Sequence, residues 1–166
     1  MEQFELRFLC VANSIRSQMA EGVGRKLADE NFSISSAGSF RHRVDEDAIQ
    51  VMNEIGIDIS QQKSKGLDDW DFTLPKADLV VDLTEEGLHH RRFEDQNETL
   101  YLNVPLYDPV TAKKLPDAQR LPVYRYCRAK VVVLGEKLLV ILKSEDGVQK
   151  LSADQSTVAQ LLEAAQ

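Results

Sequence analysis

Two cysteines in 166 residues, Cys10 and Cys127, are too few for a disulfide framework. A reducing compartment, the cytoplasm, suits the chain better, since a reactive thiolate is soon oxidised elsewhere. A basic excess is also missing: 20 Lys and Arg stand against 27 Asp and Glu, a formal net charge of -7. Nucleic acids are held largely by basic patches, so no nucleic-acid partner is expected. No apolar run is long enough to span a bilayer, so no membrane contact is expected either. The N-terminus passes from Met1-Glu2-Gln3 straight into apolar alternation, without the n-region and h-region of a signal peptide. Residues at metal-ligand spacing are lacking too. His89 and His90 are adjacent, and adjacent helical side chains point apart, so Glu85 to Asn97 reads as a solvated charged face with no metal.

What the chain does have is organised around Cys10-Val11-Ala12-Asn13-Ser14-Ile15-Arg16-Ser17. Phe4, Leu6 and Phe8 alternate before it as in a short buried strand, and Met19, Val23 and Leu27 recur after it at helical spacing. The loop therefore lies at a helix N-terminus, where N–H groups lack intrahelical partners and the dipole is positive. A tetrahedral anion can be cradled there by main chain alone. A thiol at the mouth of such a loop, with the Arg16 guanidinium nearby in the chain, is favoured as a thiolate and hence as a nucleophile. The planar fork of Arg16 can bind two oxygens of a phosphoryl group. Ser17 can cap the helix or donate to the thiolate. On spacing alone, a buried structural cysteine with a surface arginine is an equal alternative.

The length suits one domain with a substantial core. Phe32 to Ser35 alternate as a second strand ending at Ser36-Ala37-Gly38. The polar loop Ser39 to Val44 carries Phe40, Arg41, His42 and Arg43, which can receive a ring and its anionic flank, or simply be solvated. Asp45 can cap a helix with Ala48, Val51, Met52 and Ile55 on one face, ended by Gly56. Ser60 to Phe72 is polar, and its Trp70 is expected to be half-buried packing. Leu79 to Leu83 reads as a strand of a parallel sheet, and Thr99 to Val104 as another. Asp117 to Ser144 fits either an apolar hairpin or one long helix with Pro122 in its first turn and Tyr126, Cys127, Lys130, Leu134, Leu138 and Ile141 along it. Ser152 to Gln155 reads as a capping box opening a short helix with Val158, Leu161, Leu162 and Ala165 on one face. That stripe either docks on the domain or makes a subunit contact, and the oligomeric state stays open.

The run Cys10 to Gly22 resembles the phosphate-binding loop and first helix of the low-molecular-weight protein tyrosine phosphatases. It resembles equally the thioredoxin-coupled arsenate reductases of the same fold. Ser36-Ala37-Gly38, Ile55 to Ser60, Ala77 to Val81 and Asp108-Pro109 follow in the family's order, over residues 4 to 144. The resemblance implies an α/β three-layer sandwich with a four-stranded parallel sheet. It implies a catalytic domain over 1–144, an extension over 145–166, and the long helix in place of the hairpin, with Cys127 a small core residue. It also implies roles. Cys10 is the nucleophile, and Val11, Ala12, Asn13, Ser14 and Ile15 form the loop that binds the anion with Arg16. Ser17 and Ser36 hydrogen-bond the loop and the thiolate. Phe40 stands on the cleft wall and Asp108 is the general acid. The loop and Arg16 supply the positive charge, so no metal or organic cofactor is implied. Asn13 is expected to be left-handed, which Asn tolerates better than most residues.

Four departures bear on the reaction. Ala12 stands where the family commonly has Gly, which would cost about 1 kcal/mol if that position needed a positive φ. Ile15 replaces a second cysteine of the loop. Asp82, Leu83 and Thr84 stand where the reductases carry a further cysteine, and none follows before Cys127. Val110 and Thr111 replace two tyrosines common in the phosphatases. The expectation is hydrolysis of a phosphorylated protein or small phosphomonoester through a phosphocysteine. The alternatives are a single-cysteine arsenate reductase served by an external thiol, and a non-catalytic phosphate-binding module.

Overall fold

The computed structural model describes all residues except Met1, Phe72 and Asp95, so the end of the polar stretch before Thr73 lies outside the described residues. Four strands, β1 (Phe4–Cys10), β2 (Phe32–Gly38), β3 (Leu79–Asp82) and β4 (Leu100–Asn103), form one parallel sheet in the order β2-β1-β3-β4. The alternation along β1 decides what covers each face. Leu6 and Phe8 join Ile34, Leu79, Val81 and Leu102 in the main core, beneath α1 (Arg16–Leu27), α2 (Glu46–Asn53) and the long α4 (Asp117–Leu142). Leu9 points the other way with Ala37 and Val80, under a thinner layer made by Leu67, Leu74 and the short α3 (His90–Phe93). Leu6, Leu9, Leu79 and Leu134 are essentially sealed from water, each worth about 1.5–3 kcal/mol of transfer free energy.

The strands end together, with Cys10 beside Gly38, Leu9 beside Asp82 and Asp82 beside Asn103. Connections leave β1 and β3 towards opposite edges. The C-terminal ends of these two central strands therefore border the crevice in which ligands of open α/β sheets bind.

Local chemistry sets both ends of α2. Asp45 caps α2 by accepting the N–H groups of Asp47 and Ala48 at 2.9 and 3.2 Å. The helix closes in a Schellman motif: Gly56 takes φ +74°, its N–H reaches Asn53, and the Ile57 N–H reaches Met52. That turn leaves Ile55 exposed, correcting its expected place on the buried face with Ala48, Val51 and Met52. Residues 117–142 are one helix and no hairpin. Pro122 sits in its second turn, not its first, and so removes one intrahelical donor. The buried stripe runs through Tyr124, Cys127, Val131, Leu134 and Leu138, so Tyr126 and Lys130 lie off it.

Two further expectations are corrected. Trp70 is 93% exposed, because Leu67 and Leu74 fill the space beneath its loop while Asp69 turns back onto the Gly66 N–H. Residues 145–166 form two helices, α5 (Gly147–Ala153) and α6 (Gln155–Ala165), and the cap between them is Asp154, which accepts the Ser156 N–H at 2.9 Å. The expected capping box from Ser152 does not form. Leu151, Leu161 and Ala165 dock into the main core. No helix among the described residues is long and apolar enough to cross a membrane.

Candidate active site

Cys10 is the last residue of β1 and Arg16 the first of α1, so the residues between them must turn a buried strand into a helix within a few positions. Asn13 makes the turn at φ +46°. Its side chain lies inside the loop, donating to Ser17 Oγ and Ser36 Oγ at 2.8 Å each and accepting the Lys65 N–H at 2.7 Å. Ala12 is not among the described residues with positive φ, so the Ala in place of Gly carries no such strain. Gly38 lies against the loop from β2: a Cβ there would stand 2.5 Å from the Val11 oxygen and 2.7 Å from the Asn13 nitrogen.

The loop's carbonyls are all taken. Val11 O accepts Ser39 N–H (2.7 Å), Ala12 O accepts Ser64 Oγ (3.1 Å), and Asn13 O accepts Gln18 Nε2 (3.1 Å). Ser14 O accepts Asp45 N–H (3.0 Å), Ile15 O accepts Met19 N–H (2.9 Å), and Cys10 O lies 3.0 Å from His89 Nε2. The N–H groups from Val11 to Arg16, by contrast, donate to no backbone or side-chain acceptor among the described residues. Outward carbonyls and unshared N–H groups form a nest at a helix N-terminus, an arrangement that can hold an anion.

At the base of the nest the Cys10 sulfur lies 2.8 Å from Ser17 Oγ. Ser17 makes this contact and no helix cap, since the N-cap position is Ile15 and makes no side-chain cap bond. Ser36 sits behind the loop and touches Asn13 and Glu21 rather than the sulfur. Arg16 is 3% exposed; Nη1 donates to the Leu83 and Leu106 carbonyls at 3.2 and 3.0 Å, and Nη2 to Asp108 Oδ2 at 2.7 Å. The other Asp108 oxygen caps the 3-10 turn that follows, accepting the Val110 N–H at 3.0 Å. Pro109 restricts the backbone at this point, which aims the carboxyl at the cleft.

The cleft above Cys10 has a volume of about 390 Å³. Val11, Ala12, Ser14, Ile15, Arg16 and Asp108 line it, with Phe40, His42 and Arg43 on the rim. Arg41 turns away to Asp71 at 2.8 Å. Three contributors were not legible as such. Asp45 reads as a helix cap yet also ties the Ser14 carbonyl, and Lys113 at the rim bridges Asp45 and Asp47 at 2.8 and 2.7 Å. His89 belongs by pattern to a solvated face, but it is 6% exposed and turned onto Cys10. His90 points away to Glu94, so the two histidines diverge. Among the described residues no group of three His, Cys, Asp or Glu side chains could hold a metal ion. Cys127 is buried in α4, and burial pushes its thiol up to about 12, so it stays protonated at neutral pH.

Known proteins share this framework. Residues 5–145 match the family described as low molecular weight phosphotyrosine protein phosphatase. An arsenate reductase of Halalkalibacterium halodurans is 48% identical over 83 residues, covering 50% of this chain and 58% of that protein. The chain thus spans little more than half of that relative's length. Arsenate reductase 1 of Staphylococcus haemolyticus is 35% identical over 125 residues, 73% of this chain and 88% of that one. Among solved structures, an arsenate reductase in its oxidized state superimposes with a TM-score of 0.69 at 31% identity, covering 83% of this chain and 98% of the other. The low molecular weight protein tyrosine phosphatase of T. tengcongensis does so with 0.65 at 27% identity, covering 83% and 99%. Matched span and shared fold agree: the chain belongs to the low molecular weight phosphotyrosine protein phosphatase family, a superfamily of enzymes that includes arsenate reductases.

Proposed function

We propose that the chain reduces arsenate through Cys10 and draws its electrons from a small external thiol. The observation that supports this most is the nest of unshared N–H groups from Val11 to Arg16, which lines the same cleft as Cys10. Relatives of this chain carry the name arsenate reductase, which favours arsenate over a phosphate ester as the oxyanion. Arsenate is held by the loop amides and Arg16 while the Cys10 thiolate attacks arsenic and an oxygen departs as water. An external thiolate then attacks the Cys10 sulfur. The sulfur–arsenic bond breaks, its electron pair passes to arsenic, arsenite leaves, and Cys10 is left in a mixed disulfide. A further external thiol frees Cys10, so one disulfide of that thiol forms for each arsenate reduced.

The thiol is external because the chain offers no resolving cysteine of its own. Cys127 is buried and held protonated. At the end of β3, where the resembled reductases place a cysteine, the buried Asp82 carboxylate accepts the Thr84 N–H and hydroxyl at 3.0 and 2.8 Å.

Hydrolysis of phosphate monoesters is the second reading, and Asp108 favours it. Its carboxyl stands beside Arg16 at the cleft edge, where a leaving oxygen needs a proton. Steady-state arsenate-dependent oxidation of glutathione, run beside hydrolysis of p-nitrophenyl phosphate, separates the two. Arsenate-dependent turnover that is absent in Cys10→Ser supports the reductase. Ester hydrolysis without thiol oxidation moves the assignment to the phosphatase.

A further inference from the structure

Both reactions above leave one buried side chain at the nucleophile without a task. His89 lies 79 positions from Cys10 in sequence, yet its Nε2 is 3.0 Å from the Cys10 carbonyl oxygen. A carbonyl can only accept, so this nitrogen carries the proton. The ring is held there by the loop after β3. The His89 N–H donates to Asp82 Oδ2 at 3.0 Å, and the same oxygen accepts the Tyr101 hydroxyl at 2.6 Å. Asp82 Oδ1 takes the Thr84 N–H and hydroxyl. Asp82 is fully buried, so this carboxylate fixes the segment from Thr84 to His89 against the sheet. The imidazole does no capping for α3, which makes no side-chain cap bond at His89.

The Cys10 carbonyl and the Val11 N–H belong to one planar peptide. A donor on the carbonyl therefore sets the plane in which that N–H points, and polarises it so that it becomes a stronger donor in turn. We propose that His89 is a positioning residue for the nucleophile: by holding the Cys10 carbonyl it fixes and polarises the Cys10–Val11 peptide, and with it the first N–H of the anion nest. The proposal rests on the reading of Cys10 to Ser17 as an oxyanion-binding loop, and it is indifferent to whether the oxyanion is arsenate or a phosphate ester.

The test needs no turnover. Protection of Cys10 from iodoacetamide by inorganic phosphate, read on the Cys10 peptide by mass, gives the phosphate Kd. His89→Ala leaves a buried carbonyl without its donor, and the expected result is a Kd weaker by about tenfold. His89→Gln offers an amide N–H to the same oxygen and is expected to recover the Kd to within about threefold. Circular dichroism and thermal melts accompany both variants. Wild-type affinity in His89→Ala overturns the proposal. Equal loss in the Ala and Gln variants, tracking a lowered Tm, also overturns it, because His89 is then only filling space. If phosphate fails to protect wild-type Cys10, the loop reading itself falls, and the proposal with it.

Discussion

At Asp108 one side chain has two partners with opposite consequences. Its Oδ2 holds Arg16 Nη2 at 2.7 Å, so a bound oxyanion must compete with it for the guanidinium, while Oδ1 anchors the following turn through the Val110 N–H. Asp108→Asn is expected to cut any p-nitrophenyl phosphate hydrolysis by about 10²-fold or more, through loss of the acid. It is also expected to leave inhibition by inorganic phosphate as strong as in wild type or stronger, since Arg16 loses a charged competitor. Competitive inhibition constants measured beside turnover check both halves, and weakened phosphate inhibition would contradict the account. The spacing of Cys10, Asn13, Arg16 and Ser17 is local, and their mutual geometry follows from one strand-to-helix turn. The contact of His89 with Cys10 depends on β3 lying beside β1, which no local pattern encodes.

At the scale of elements, the loop is clamped between β2 and the N-terminus of α2, and each clamp has a separable weak point. Gly38 touches the loop backbone so closely that an added Cβ would collide with main-chain atoms of Val11 and Asn13. Gly38→Ala is expected to abolish measurable phosphate protection of Cys10 while leaving the far-UV spectrum close to wild type. Asp45→Ala removes the cap of α2 and one partner of Lys113, and is expected to cost about 1–2 kcal/mol in urea unfolding. Secondary structure was legible where period and punctuation agreed, as in β1, β2 and α2 with Asp45 at one end and Gly56 at the other. The hydrophobic pattern of residues 117–142 admitted strand and helix alike, and packing against α1 and the sheet decided it. Trp70 misled because an indole usually finds cover, whereas here smaller side chains fill that space first.

The whole molecule is held by one main core that extends through α6. Leu161 is sealed in that core, and Leu161→Ala is expected to destabilise the protein by about 2–5 kcal/mol in denaturant titration, despite its distance along the chain from Cys10. Acid should loosen the fold through Glu54, whose carboxylate Arg125 and Arg128 hold down to about 2, from an ordinary value of 4.5. A depressed folded value means the contribution is complete above about 4.5 and disappears as pH falls towards about 2. The Tm difference between wild type and Glu54→Gln is therefore expected to shrink across that window.

The central claim is that Cys10 takes the oxyanion and an external thiol takes the product off it. Intact and peptide mass spectrometry after incubation with arsenate and limiting glutathione tests this directly. The expected result is a glutathione adduct on Cys10 that requires arsenate and is reversed by excess thiol, with Cys127 unmodified. A disulfide joining Cys10 to Cys127, or no arsenate-dependent adduct in a protein whose Cys10 is protected by phosphate, would contradict it.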